Sequence, residues 1–252
     1  MENLYFAPLI FFCIAFVFSM LGMGGSQLYI PILYWMGLDF KTEAIPLGML
    51  LNVVNSATAV TTYTVKKMVV WGVALPFAVA MLALPPVGAW LNVQLPTKPL
   101  IAFFAAFTAS AATLMLSGWR PKKGSLSTQG RIVLGLSGGG VLGLIAGLIG
   151  RGGGSFVVPL LYIAGLEAKA AAATSSFVVT CSGVSSFLAH LFTAARPNWI
   201  LWGGCVVAVF LGSEVGSRVM ADRLKPKGVR TIFGIVLWGV ALLLFVNDVL
   251  LK

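Results

Sequence analysis

Apolar residues in this chain come in long blocks rather than alternating with polar ones. Short segments rich in Gly, Pro, Lys or Arg separate the blocks. The blocks are Ala7 to Leu21 and Gln27 to Leu38, then Glu43 to Val65, Val70 to Leu91 and Pro99 to Ser117. They resume with Ile132 to Ile149 and Ser155 to Leu166, then Ala170 to Ala195, Asn198 to Ser217 and Val229 to Asn247. The longer ones approach the roughly 20 residues that a helix needs to cross hydrocarbon. In lipid each segment must satisfy its own backbone, so the pattern predicts helices throughout. The fold class read here is an all-α integral membrane protein.

The order of blocks repeats. At an offset of 128, Gly22, Gly24 and Gly25 fall on Gly150, Gly152 and Gly153. Pro31, Leu33, Tyr34, Gly37, Leu38 and Lys41 fall on Pro159, Leu161, Tyr162, Gly165, Leu166 and Lys169, and Trp71 falls on Trp199. Chance supplies matches of Gly or Leu, but not Pro, Tyr and Trp in the same register. Residues 1–117 therefore read as a first membrane repeat, 118–130 as a polar linker and 131–252 as a second repeat, all in one membrane domain.

Composition agrees with this reading. Of the 252 residues, 59% are hydrophobic and 10% are charged, against about 25% charged in soluble domains. The net charge of +10 lies in runs between the blocks, which reads as cytoplasmic loops rather than nucleic-acid contacts. Cys13, Cys181 and Cys205 lie inside blocks without close spacing, so three buried free thiols are expected and no metal or cofactor. Glu2 is the only early charge and no A-x-A site follows, so the start does not read as a signal peptide.

Charge also selects a topology. If every block crosses, the basic residues split evenly between the two sides. If each Gly-interrupted pair of short blocks enters and leaves by one face, only Lys41, Lys98, Arg196 and Lys252 lie on the sparse side, with Arg151 set aside. The positive-inside rule favours the second arrangement. Each half then holds a re-entrant helical hairpin and three transmembrane helices, and the odd number inverts the second repeat. Inverted repeats with broken helices are a recurring transporter plan. Both termini are expected in the periplasm, with Lys66, Arg120 and Lys225 in the cytoplasm.

The chemistry concentrates at the two Gly clusters, Gly22-Met23-Gly24-Gly25-Ser26-Gln27 and Gly150-Arg151-Gly152-Gly153-Gly154-Ser155. Each precedes a helix whose first N–H groups and partial positive charge point back at the break. Two such N-termini facing each other make an anion site without a cofactor. The plain alternative is that the glycines only allow close helix packing. Arg151, whose repeat partner is Met23, is a further candidate because an intramembrane Arg is costly. A position at the membrane surface against lipid phosphate is its alternative.

Asn52, Asn55, Ser56 and Thr58 in the first half, and Thr174, Ser175, Ser176, Thr180 and Ser182 in the second, place polar groups on the following helices. They line a substrate path or serve ordinary interhelical bonding. Gly135, Gly139, Gly143 and Gly147 form a small-residue packing stripe. Glu214 is an acid inside a span, the kind of group that couples transport to protons, but its spacing to Arg218 favours an ion pair. His190 reads as a solvated helix end near Arg196. No nucleophile elbow, H-E-x-x-H or Walker motif is present.

At Gly22 to Pro31 and Gly150 to Pro159 the chain resembles the TauE/SafE family of sulfite exporters and sulfonate permeases. It departs from that pattern at Ser26, where a third Gly is expected, and at Arg151. The resemblance covers nearly the whole chain. It implies a secondary transporter, not an enzyme, moving a sulfur-containing oxyanion such as sulfite or an organosulfonate across a bacterial inner membrane, with export as the first reading. Import of a sulfur or carboxylate anion, or a non-transporting scaffold, are the alternatives. The candidate substrate-binding residues are Gly24, Gly25, Ser26, Gln27, Asn52, Asn55, Arg151, Gly152, Gly153, Gly154, Ser155, Ser175 and Thr180. The partners expected are a small anion, the lipid bilayer and coupling protons.

Overall fold

The computed structural model describes residues 6–92, 106, 109–110, 112–113, 116–117, 128–149, 154–192, 194–195, 197–244 and 246. Ten helices are used here: α1 (Ala7–Leu21), α2 (Ser26–Trp35), α3 (Ile45–Val65), α4 (Trp71–Ala83), α5 (Pro85–Asn92), α6 (Thr128–Ile149), α7 (Gly154–Ile163), α8 (Ala168–Leu191), α9 (Trp199–Asp222) and α10 (Pro226–Leu244). A π-helical turn, Phe40–Ala44, leads into α3. No strand occurs among the described residues.

Among the described residues, four helical stretches are long and apolar enough to cross a membrane: Phe40–Val65, Trp71–Gly88, Ala168–Leu191 and Trp199–Asp222. The short arms behave differently. The 15 residues of α1 and 10 of α2 extend about 22 Å and 15 Å, against roughly 30 Å of hydrocarbon.

These two arms form a hairpin. The rings of Phe11 and Tyr29 meet edge to face at 5.2 Å. Nearer the ends, Phe6 and Ile10 line one cleft with Ile32, Trp35 and Met36. The chain therefore turns back on itself at Gly22 to Gly25. The second half pairs the same repeat positions: a Cβ on Gly138 of α6 would lie 2.7 Å from Leu160 of α7. These are the counterparts of Ile10 and Ile32.

The helix ends repeat as well. Gly37 N–H donates to Tyr34 O at 3.0 Å and Leu38 N–H to Leu33 O at 3.2 Å, closing α2. Gly165 N–H to Tyr162 O at 3.0 Å and Leu166 N–H to Leu161 O at 3.1 Å close α7. These are the residues that matched in sequence, so the shared Leu-Tyr-x-x-Gly-Leu pattern encodes a helix-ending motif.

α3 and α8 pack against each other in opposite directions. At one end Lys66 reaches Asp222 at 2.6 Å, and Lys169 donates to Ala221 O at 2.8 Å. At the other, Ala195 N–H donates to Thr42 O at 2.9 Å. Around this pair, α1 lies on α9, and α4 lies on α6. Small residues allow both approaches. Cβ atoms on Gly212 and Gly216 would stand 2.4 and 2.1 Å from Phe12 O and Phe16 O of α1. On Gly135 and Gly139 they would stand 2.6 Å from Pro76 and 3.2 Å from Ala80 of α4. The stripe on α6 is thus a packing surface, as its spacing suggested.

Large apolar side chains such as Leu9, Val79, Val207, Phe210 and Leu211 point outward, as a bundle solvated by lipid requires.

Several boundaries differ from the sequence reading. The block Val70 to Leu91 is interrupted at Leu84, because Pro85 and Pro86 have no N–H to continue the ladder. α6 starts at Thr128, inside the linker drawn at 118–130, and with 22 residues it is longer than its counterpart α1. Cys13 is exposed rather than buried, and Cys181 is only half-buried. Most of Pro99 to Ser117 and of the linker lies outside the described residues.

Candidate functional site

The break in the first hairpin is held open by backbone conformation. Gly22, Gly24 and Gly25 have φ of 68°, 81° and 100°, a region that L-residues avoid. Gly22 also needs the absence of a side chain, because a Cβ there would stand 2.0 Å from Ala172 O of α8. The same holds at Gly24, where a Cβ would stand 2.1 Å from Asn52 Oδ1 and 2.8 Å from Val179 Cγ1. The break is therefore wedged between α3 and α8.

Side chains from both helices fasten it. Asn55 Nδ2 donates to Gly24 O at 2.5 Å and to Tyr29 Oη at 3.2 Å. Ser175 Oγ donates to Gly22 O at 2.8 Å, and Tyr63 Oη to Ser19 O at 2.7 Å. Asn52 Oδ1 accepts from Ser26 N–H at 3.3 Å, at the first residue of α2. From α9, Ser213 Oγ donates to Asn55 O at 2.7 Å. Ser26, Gln27, Asn52, Asn55 and Ser175 are all fully buried.

Several polar atoms at this point are left over. Ser26 Oγ, Asn52 Nδ2 and Asn55 Oδ1 have no hydrogen-bond partner among the described residues. A buried polar group without a partner costs about 1–3 kcal/mol. The amide of Asn52 is fixed by its oxygen: with Oδ1 turned to Ser26 N–H, the NH₂ must face away, beside Gly183 of α8. Of the two neutral donors, Ser26 Oγ stands at the N-terminus of a ten-residue helix whose dipole is positive at that end, and Asn52 Nδ2 lies next to it on the α8 side. An acceptor with negative charge satisfies both donors, whereas Asn55 Oδ1, itself an acceptor, calls for a donor.

The structure brings Gly24, Gly25, Ser26, Asn52, Asn55 and Ser175 together, with Gln27 buried in the first turn of α2. It does not bring Thr180 in, because that hydroxyl donates to Ser176 O of its own helix at 2.7 Å. Gly154 and Ser155 open α7 as its first residues. Arg151, Gly152 and Gly153 lie outside the described residues. Sequence reasoning missed Tyr29 and Tyr63. Both sit in apolar blocks and read as core, and their hydroxyls alone signal a polar neighbourhood.

Glu214 pairs with Arg218, as the four-residue spacing suggested. This pair lines a cleft of about 350 Å³ with Thr61, Thr62, Lys66 and Asp222 at the far end of α3 and α9. No group of three or more metal-ligating side chains occurs among the described residues.

An apolar helical bundle enclosing a broken hairpin, with polar donors turned into the break, is the layout of a multi-pass membrane transporter. Residues 7–244 match the family described as Sulfite exporter TauE/SafE, and the chain belongs to that family, whose members are membrane transporters rather than enzymes. It is 26% identical over 243 residues to a probable membrane transporter protein, y4hK, of Sinorhizobium fredii, covering 90% of this chain and 92% of that one. A probable membrane transporter protein of Xylella fastidiosa is 27% identical over 239 residues, covering 91% and 90%. The probable membrane transporter protein MJ0441 of Methanocaldococcus jannaschii is 22% identical over 254 residues, covering 94% of each. No solved structure matches the chain.

Proposed function

We propose that this protein is a secondary transporter that exports a small sulfur-containing oxyanion, sulfite or an organosulfonate, across a bacterial inner membrane. The observation that carries the reading is the pair of buried, unpartnered donors, Asn52 Nδ2 and Ser26 Oγ, beside and at the N-terminus of α2. An oxyanion accepts from both. No fixed cation is needed beside them, so the empty site is tolerable between transport events.

The second Gly cluster completes the site in this reading. Gly154 and Ser155, the first residues of α7, present its N-terminus to the same anion; the proposed ligands Arg151, Gly152 and Gly153 lie outside the described residues. The inverted-repeat plan is supported by the opposed run of α3 and α8, which are repeat counterparts, and by the exchange of partners in α1 with α9 and α4 with α6. A re-entrant first hairpin is supported by its two short arms and by the closeness of its two ends. The Lys66 end of the bundle gathers the basic residues and faces the cytoplasm. Protons are the coupling ion in this scheme.

Purified protein in sealed vesicles tests the proposal. Saturable movement of labelled sulfite, competed by an alkylsulfonate and stimulated by a pH gradient, is expected. Protein that inserts normally yet moves neither anion at a rate above empty vesicles refutes it.

A further inference from the structure

α8 carries hydroxyls along most of its length, and nearly all have a partner. Thr174 Oγ1 accepts from Val70 N–H at 3.0 Å. Ser175 Oγ donates to Gly22 O, Ser176 Oγ to Ala172 O at 3.1 Å, Thr180 Oγ1 to Ser176 O, and Ser185 Oγ to Leu82 O at 2.6 Å. Ser182 and Ser186 differ. They are 0% and 1% exposed, and neither Oγ has a partner among the described residues.

These two are four residues apart, so they stack on one face of the helix, about 6 Å along its axis. The same face carries Ser175 and Val179, seven and three residues before Ser182. That face borders the break. Ser175 is bonded to Gly22 O, and Val179 Cγ1 would meet a Cβ on Gly24. Gly183, next to Ser182, lies so close to Asn52 that a Cβ on it would stand 2.9 Å from Nδ2. Ser182 and Ser186 therefore continue the polar surface of the break toward the end where Ala195 meets Thr42.

A serine in a helix has an easy remedy for an unpaired hydroxyl: it donates to the carbonyl four residues back. Ser176 and Thr180 use it. Ser182 and Ser186 do not, and their hydroxyl hydrogens stay free in a buried place.

We infer that Ser182 and Ser186 form a second, weaker oxyanion station on the route between the break and the Thr42–Ala195 end of the bundle. The inference rests on the transport reading above. A fully ionised oxyanion is an acceptor with several oxygens, and two hydroxyls one helical turn apart donate to it without any fixed charge. Neutral donors hold it loosely, which a step on a conduction route requires, since the ion must leave as well as enter. The primary station remains at Asn52 and Ser26, where the dipole of α2 adds to the hydrogen bonds.

The test uses full-length Ser182→Ala, Ser186→Ala and the double variant, each measured three ways with labelled sulfite as probe. Equilibrium affinity is expected within about twofold of the parent. Flux in sealed vesicles is expected to fall at least fivefold for each single variant and further for the double. The thermal unfolding midpoint is expected to rise, because an unpartnered buried hydroxyl has been removed. Parent-like flux overturns the inference. So does an affinity loss that matches the flux loss, which assigns the serines to the primary site, or a fall in midpoint, which assigns them a structural bond. A parent protein that neither binds nor moves sulfite, sulfate or an alkylsulfonate fails differently: it removes the transport reading itself, and this station with it.

Discussion

Replacing Gly24 by Ala separates a binding break from a simple turn. The substitution forces an L-residue to φ of 81°, which costs about 1–2 kcal/mol. Its Cβ would also stand 2.1 Å from Asn52 Oδ1 and 2.8 Å from Val179 Cγ1. The Asn52 amide must rotate or withdraw, which breaks its bond from Ser26 N–H, a loss of about 0.5–1.5 kcal/mol. The sum is about 1.5–3.5 kcal/mol, and Asn52 Nδ2 is displaced from its place beside the break. Gly37→Ala is the matched control, since its φ is 96° but no atom lies within 4 Å of its Cβ. Gly37→Ala is expected to lose only the backbone part, about 1–2 kcal/mol, and to bind sulfite normally. Thermal unfolding in detergent and equilibrium sulfite binding measure both. If Gly24→Ala matches Gly37→Ala in midpoint and in affinity, Asn52 does not organise the break and the reasoning fails.

Gly139→Leu is expected to separate α4 from α6, because even a Cβ there stands 3.2 Å from Ala80 and Phe77; a lower unfolding midpoint with sulfite affinity retained per folded molecule checks it. The Asp39 carboxylate accepts from Thr42 N–H at 2.8 Å, from Thr42 Oγ1 at 2.7 Å and from Lys41 N–H at 3.1 Å. These bonds, the Thr42 backbone donor first, hold its pKa below the ordinary carboxylate value. The cap on the turn into α3 is therefore intact above that range and is lost as pH falls through the lowered pKa. Amide-exchange protection factors at Lys41 and Thr42, corrected for the intrinsic pH dependence of exchange, should fall on acidification in the parent and be low at every pH in Asp39→Ala. Lys66→Ala should change stability by no more than about 1 kcal/mol, because its pair with Asp222 is exposed; a larger shift in the unfolding midpoint would contradict the assignment. Cysteines placed singly at positions 41 and 66 should label from opposite faces of the membrane; labelling from one face would contradict the opposed ends of α3.

Some of the residues that match at the 128-residue offset have a common structural role. Leu33, Tyr34, Gly37 and Leu38 end α2 with the same hydrogen bonds that their counterparts make at the end of α7. The turn of α1 back onto α2 followed from the Gly break between short blocks, and the packing stripe on α6 from its four-residue spacing, but the length of α6, 22 residues, did not. Helix boundaries were less so, since hydropathy does not register that Pro85 and Pro86 interrupt a continuous apolar block. At the site, Asn52, Asn55 and Ser175 were found because polar residues in apolar blocks stand out. Thr180 stood out equally, but its hydroxyl bonds to its own helix. Sequence marks a polar residue without saying where its hydrogen points. For the same reason Ser186 passed unnoticed, although its four-residue spacing from Ser182 was available.

The central claim is that the break at Gly22 to Gly25 binds an oxyanion through Asn52. Equilibrium titration of purified protein with sulfite, comparing the parent with Asn52→Asp, tests it most directly. The substitution keeps the size and the acceptor for Ser26 N–H but replaces the free NH₂ donor by a carboxylate oxygen. Saturable binding is expected in the parent and at least a tenfold loss of affinity per folded molecule in Asn52→Asp, whose unfolding midpoint falls because a carboxylate replaces an amide at a fully buried position. Equal affinity in the two proteins would contradict the claim.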